Sequence, residues 1–378
     1  MRDLGTLLFV VNVDWYLISH RIKIVEEAVN AGWNVYVACE DTGRSNEIEN
    51  TGARFIHCPI SRSGTNPLEE LRLIRNLYKL YKEIKPDVVH HISLKPVIYG
   101  SFVAKRLKIK GVLNAVSGLG YVFTDKRTSW VQKVMLRLME YSFNRKNVAF
   151  IFQNQDDYNE LKELGVLTPD NIINFIKGSG VNLSKYSSGD FPSDKRIKIL
   201  LPSRMLWDKG VAELREATQL LKDDYADRIT FVLAGMVDDG NKASVQKEYL
   251  HEWEEEDYVT WIDHQKDMVS VFHNSHIVVL PSYREGMPKS LIEACATGRP
   301  IITTTAVGCK ECVDEGVNGF LVPVKNGPKL AEAISKLVDD KELRLRMGIA
   351  SRKKAEKEFD LQDVIHKHLK IYTNLSDN

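Results

Sequence analysis

The sequence predicts an α/β protein built as two doubly wound parallel-sheet domains facing a cleft. Three observations carry that expectation. Short β-branched runs alternate with helix-length periodic segments along nearly the whole chain. The strand-like runs are continuously apolar, as in strands covered on both faces. The 378 residues make two domains at roughly 100–200 residues each, and each is large enough to bury its own core.

Leu7–Val13 is the first strand, and Ser19–Ala31 follows with helical spacing, closed by Gly32. Val35–Cys39 and Arg54–Cys58 read as strands. Pro67–Ile84 is a long amphipathic helix with a proline at its start. Lys85-Pro86-Asp87 ends it, and Val88–Ile92 is a strand. A helix near Val97–Leu107 leads to the strand Val112–Val116. Val148–Gln153 and Ile172–Ile176 complete the first sheet. The second half repeats the pattern. Ile197–Pro202, Thr230–Ala234, Val259–Ile262, Ile277–Pro281 and Pro300–Thr304 are its strands, and Val211–Leu221, Asp267–His273 and Lys289–Thr297 its helices. From Pro328 to about Leu369 the pattern is helical only. Ser184–Arg196, rich in Ser, Gly, Asp, Lys and Pro, is the connector. The first domain is therefore expected over 1–183 and the second over 184–357, with a C-terminal helix at about 358–378 packing back on the first.

Composition narrows the function. The chain is 43% hydrophobic and 27% charged, with a formal net charge of +1. No global field calls for nucleic acid. Five cysteines at irregular spacing do not make a disulfide framework. Cys309 and Cys312 form a C-x-x-C with no second pair, so idle thiols are the better account than a metal site. No apolar run approaches the roughly 20 residues that span a bilayer. The N-terminal run lacks a small-residue cleavage site and reads as a buried strand. A cytoplasmic address is expected. Neither half carries G-x-G-x-x-G after its first strand, which removes the main support for a dehydrogenase. There is no G-x-x-x-x-G-K-[ST] for a P-loop kinase.

Two segments carry chemistry. In Leu280-Pro281-Ser282-Tyr283-Arg284-Glu285-Gly286-Met287-Pro288-Lys289-Ser290-Leu291-Ile292-Glu293-Ala294 a strand ends, a glycine turns the chain, and a proline opens a helix. Backbone amides of Gly286, Met287 and Lys289 at such a helix start suit an anion. Glu285 and Glu293 lie eight residues apart. Were all eight helical, the rise would be about 12 Å, beyond the roughly 5–9.5 Å of a glycosidase carboxylate pair. They are better matched to different parts of one long ligand. The second segment, Leu201-Pro202-Ser203-Arg204-Met205-Leu206-Trp207-Asp208-Lys209-Gly210, also joins a strand to a helix. A guanidinium and an ammonium there suit a departing diphosphate.

In the form E-G-M-P-K-S-L-I-E-A, together with S-R-M-L-W-D-K-G, the chain resembles the retaining family 4 glycosyltransferases of the GT-B fold, two Rossmann-like domains. The likeness covers most of the chain and is densest from 197 to 322. It implies that Glu285 contacts the donor sugar, Glu293 the ribose, and Arg204 and Lys209 the diphosphate. Gly286, Met287, Pro288 and Lys289 help seat the donor, a nucleotide sugar with UDP the commonest base. No metal or other cofactor is implied, and no protein nucleophile. Gly178-Ser179-Gly180-Val181-Asn182 resembles the family's crossover segment, but Asn182 stands where Asp is commoner.

In the first half, Ser117-Gly118-Leu119-Gly120-Tyr121 follows a strand and resembles a subgroup acting on polyprenyl-diphosphate-linked glycans. Ser117, Gly118, Gly120 and Tyr121 are its candidate acceptor contacts. His20, in a cleft loop expected over Asn12–Arg21, and His91 are candidates to polarise the acceptor hydroxyl, though a lone histidine is more often structural. Lys126–Lys146 is basic and amphipathic. It fits peripheral contact with the anionic inner face of the cell membrane or an ordinary domain helix burying its apolar face. A soluble acceptor and a non-catalytic nucleotide-sugar-binding module are the alternatives.

Overall fold

The computed structural model describes residues 4–61, 66–116, 130–193, 195–238 and 240–377, without the side chains of Trp130 and Val131. The chain divides into two compact units, Met1–Ser179 with Gln362–Asn378, and Gly180–Leu361.

The first unit holds seven strands: β1 (Thr6–Val13), β2 (Asn34–Glu40), β3 (Arg54–His57), β4 (Val88–Ile92), β5 (Gly111–Val116), β6 (Val148–Phe152) and β7 (Ile172–Phe175). They lie in the order β3-β2-β1-β4-β5-β6-β7, and every pairing is parallel. Parallel strands need crossovers that cover both faces, so Leu7–Val11 of β1 are all 0% exposed. Each such side chain contributes roughly 1.5–3 kcal/mol on burial. The strand order reverses between β1 and β4, the topological switch point of the sheet.

One local expectation is corrected here and a second is refined. Asn12–Arg21 is not a loop: β1 runs to Val13 and the helix Asp14–Ala31 starts at once. Asp14 explains the early start. Its carboxylate accepts from Thr42 N at 2.7 Å, Thr42 Oγ1 at 2.6 Å and Arg44 N at 3.1 Å, tying the helix start to the chain after β2. The helix expected near Val97–Leu107 is a π-turn, Pro96–Gly100, running into an α-helix, Ser101–Arg106. Gly100 permits the close packing, since a Cβ there would lie 2.4 Å from His91 Nε2.

The helix Pro67–Ile84 starts on Asn66, whose side chain accepts from Leu68 N, and buries Leu73, Leu77 and Tyr81. The last helix, Leu361–Asp377, packs on the first unit: Tyr372 OH lies 2.8 Å from His90 Nδ1.

The second unit holds β8 (Ile197–Pro202), β9 (Ile229–Ala234), β10 (Val259–Trp261), β11 (Ile277–Leu280), β12 (Ile301–Thr304) and β13 (Gly319–Val322). Their order is β10-β9-β8-β11-β12-β13, again all parallel. Its switch point lies between β8 and β11. The strand β13 was not foreseen. It is four residues long, begins at a glycine, and pairs so closely that a Cβ on Gly319 would sit 1.9 Å from the Ile301 carbonyl oxygen. The connector 184–196 is fastened to this unit. Tyr186 lies in its core, Arg352 Nη1 donates to Tyr186 O at 2.9 Å, and buried Arg299 donates to Asp190 O at 3.1 Å.

Candidate active site

The two motif segments meet at the switch point of the second sheet. Ser203–Gly210 leaves β8 and Pro281–Pro288 leaves the neighbouring β11. Glycines let the backbones close on one another. A Cβ on Gly210 would fall 2.2 Å from Pro281 O, and one on Gly308, after β12, 2.3 Å from Glu285 O. Both glycines have positive φ, 77° and 83°. Backbone bonds complete the lock: Tyr283 N donates to Asp208 O and Glu285 N to Val307 O, each at 2.9 Å.

This lock holds the charged side chains in place. Lys209 Nζ is ion-paired with Glu285 Oε1, and the two side chains are only 15% and 14% exposed. Ser282 Oγ lies 2.7 Å from the same carboxylate oxygen. Burial pulls the Lys209 ammonium down, but the Glu285 carboxylate outweighs it, so its pKa stands above the ordinary value. Arg204 Nη1 reaches Asp238 Oδ2 at 2.5 Å, on the loop after β9. Neither Asp238 nor Ser282 was singled out from sequence. The Asp238-Asp239-Gly240 turn signal was available for the first, and the second lay unremarked inside the motif.

The helix Lys289–Ala296 starts at Pro288, with no side-chain cap. Its dipole and first-turn amides suit an anion. Met287 and Pro288 are buried in the turn that precedes it. Glu293, 6% exposed, lies 3.4 Å from Lys289 Nζ, and its charge acts on the Tyr186 phenol. That phenol is pushed up, by burial first and by the Glu293 charge next.

Other candidates fall elsewhere. His91 is fully buried on β4 with both ring nitrogens engaged: Nδ1 is 2.8 Å from Asn114 Oδ1 and Nε2 2.8 Å from Tyr81 OH. Since the amide oxygen accepts, Nδ1 carries the proton and Nε2 accepts from the phenol. Burial lowers its pKa to about 4, against the Asn114 bond. His91 is thereby engaged inside the core, which gives it a structural part in place of the acceptor-polarising one expected from sequence. His20 is half-buried on the helix Asp14–Ala31, its ring stacked on Tyr16 at 4.4 Å. Ser117, Gly118, Gly120 and Tyr121 lie outside the described residues, directly after β5. Asn182 Oδ1 accepts from Lys185 N at 2.9 Å and shapes its own turn. Cys309 and Cys312 are both buried, and burial pushes the Cys309 thiol up to about 12. Among the described residues no group of three or more His, Cys, Asp or Glu is placed to hold a metal ion.

Two cations at a parallel-sheet edge, beside a helix start without a side-chain cap, suit an anionic ligand, and comparison with known proteins says what kind of protein carries them. The chain matches the glycosyl transferases group 1 family over residues 187–354 and the glycosyl transferase 4-like family over 6–154. It belongs to the family 4 glycosyltransferases. The enzyme is 29% identical over 372 residues to the N,N'-diacetylbacillosaminyl-diphospho-undecaprenol alpha-1,3-N-acetylgalactosaminyltransferase of Campylobacter jejuni, covering 95% of this chain and 96% of that one. It is 24% identical over 362 residues to the UDP-Gal:alpha-D-GlcNAc-diphosphoundecaprenol alpha-1,3-galactosyltransferase of Escherichia coli, covering 92% and 91%. Its fold matches that of Anabaena HepE in complex with UDP with a TM-score of 0.79, at 17% identity, covering 98% of this chain and 100% of that chain. Two parallel-sheet domains with that likeness make the fold GT-B.

Proposed function

We propose that the enzyme transfers a hexose or N-acetylhexosamine, with retention, from a UDP-sugar to a glycan carried on polyprenyl diphosphate. The Lys209–Glu285–Ser282 cluster beside Arg204 is the observation that carries the donor half. Lys209 and Arg204 take the diphosphate and stabilise its charge as the glycosidic bond breaks. Glu285, steadied by Ser282, lies against the donor sugar. Glu293 binds the ribose hydroxyls, and Gly286–Lys289 seat the donor at the helix start. No metal or other cofactor and no protein nucleophile enters this scheme: a front-face displacement needs neither.

The acceptor half rests on the two undecaprenyl-diphosphate-dependent relatives, each matched over nearly its whole length. Ser117, Gly118, Gly120 and Tyr121 are the acceptor contacts in this scheme, with His20 as its candidate for proton transfer. The enzyme works in the cytoplasm on the inner face of the membrane. Among the described residues no helix is long and apolar enough to cross a membrane. The helix Trp130–Phe143 buries Met135, Met139 and Phe143 and turns Lys133, Val134, Arg137, Glu140 and Tyr141 outward. Two cations against one acid leave that face mildly basic, and with Val134 and Tyr141 exposed on it the face suits anionic lipid.

A panel of nucleotide sugars tests this, with free nucleotide as the readout and with lipid extract or water-soluble sugars as acceptor. Release from one UDP-sugar that requires the extract is expected. Release with soluble sugars alone would discard the lipid carrier, and nucleotide-sugar binding without release would reduce the chain to a binding module.

A further inference from the structure

Arg204 would meet a diphosphate with a carboxylate already on its guanidinium. Its Nη1 is held at 2.5 Å by Asp238 Oδ2, with the two side chains 36% and 18% exposed. The pair is unlike a mobile surface contact, because the loop bearing Asp238 is stitched to the segment bearing Arg204. Met205 N donates to Met236 O at 2.9 Å, Val245 N to Met205 O at 2.9 Å and Trp207 N to Ala243 O at 2.8 Å. Gly235 starts the loop so close that a Cβ there would sit 1.9 Å from Ser203 O. Asp238 itself is fixed through its backbone, its N donating to Ser244 Oγ at 3.0 Å and its carbonyl accepting from Asn241 N at 2.8 Å. The carboxylate is therefore presented to the guanidinium by the fold. It occupies a donor that a phosphate would use, and its charge opposes an incoming dianion.

We propose that Asp238 is an internal counter-ion that competes with the donor's diphosphate for Arg204 and so weakens nucleotide binding. The proposal rests on the donor site described above. Exchange is then one ion pair for another: Arg204 leaves Asp238 as the phosphate arrives and returns to it as the nucleoside diphosphate departs. A carboxylate in this position speeds product release at the expense of affinity.

Calorimetric titration with UDP of the whole protein and three variants tests it: Asp238→Asn, Arg204→Gln and the double variant. Asparagine keeps both backbone bonds of residue 238, and an unchanged melting temperature confirms the loop. Asp238→Asn is expected to bind UDP about tenfold more tightly, the size of a partly screened charge contact. The double variant is expected to bind no better than Arg204→Gln alone, because the gain acts through that guanidinium. Unchanged or weaker binding by Asp238→Asn, or a gain that survives in the Arg204→Gln background, overturns the counter-ion. If Arg204→Gln weakens binding while Asp238→Asn leaves it unchanged, the counter-ion falls and the donor site stands. If Arg204→Gln binds UDP like the native protein, the donor site itself falls.

Discussion

Glu285 and Lys209 illustrate what a residue pair says before and after folding. Sequence placed an acid in a turn and a base after a strand 76 positions away. It did not say that they would pair, with Ser282 as a third member, because pairing depends on which strands are neighbours. With the pair mostly buried, removing one charge strands the other. Lys209→Met is expected to lose about 1–3 kcal/mol of stability and to lower kcat by about 10²-fold or more, read by denaturant titration and initial rates. His91 is the opposite case. A histidine near a strand end looks catalytic in sequence, yet its side chain points into the core under the π-turn. His91→Phe is expected to cost roughly 1–3 kcal/mol, because it leaves the buried Tyr81 hydroxyl without its partner and Asn114 Oδ1 with Ser101 Oγ alone. Its kcat should match that of the native enzyme. A kcat loss with unchanged stability would restore a chemical role to His91.

The elements were legible to different degrees. Continuous apolar runs such as Leu7–Val11 read as strands covered on both faces, and they are. Gly319–Val322 escaped because four residues give no periodicity to read. The junction of β1 with its helix escaped because Asp14, which replaces a loop, works through residues some 28 positions on. Glycines are the element-scale devices that bring the site together. At Gly308 a positive φ and a would-be contact of 2.3 Å with Glu285 O leave no room for a side chain. Gly308→Ala is expected to destabilise the second unit by about 1–3 kcal/mol and to displace the Glu285 turn. Activity should then fall further than stability alone accounts for, which rates measured well below the melting temperature will show. Equal activity would mean that the loop after β12 does not position the turn.

For the whole molecule, sequence predicted two doubly wound sheets, and the structure contains them. The strand orders were out of reach, since periodicity identifies strands but not their neighbours. A whole-molecule consequence lies in the first unit's buried imidazoles. Burial holds His91 at about 4 and His368 at about 3, and pushes His90 well below its ordinary value. In the unfolded chain all three titrate near 6.5. Below that pH the unfolded chain binds protons that the folded one refuses, so protons favour unfolding. Stability is therefore fully present above about pH 6.5 and falls with pH until the folded values are reached. The slope is about 1.4 kcal/mol per pH unit for each histidine fully protonated only when unfolded. Urea titrations at pH 7.5 and 5.5 should show the first unit losing midpoint at the lower pH. A pH-independent midpoint would mean that these imidazoles are solvated.

Sugar transfer itself is the central claim, and one measurement addresses it most directly. Labelled UDP-sugars are incubated with polyprenyl-diphosphate glycan acceptor and with either the native enzyme or the Arg204→Gln, Lys209→Met double variant. The label is then followed into the lipid fraction. Transfer by the native enzyme, reduced by about 10²-fold or more in the variant, is the predicted result. Undiminished transfer by the variant, or none by the native enzyme from any donor, would contradict the account.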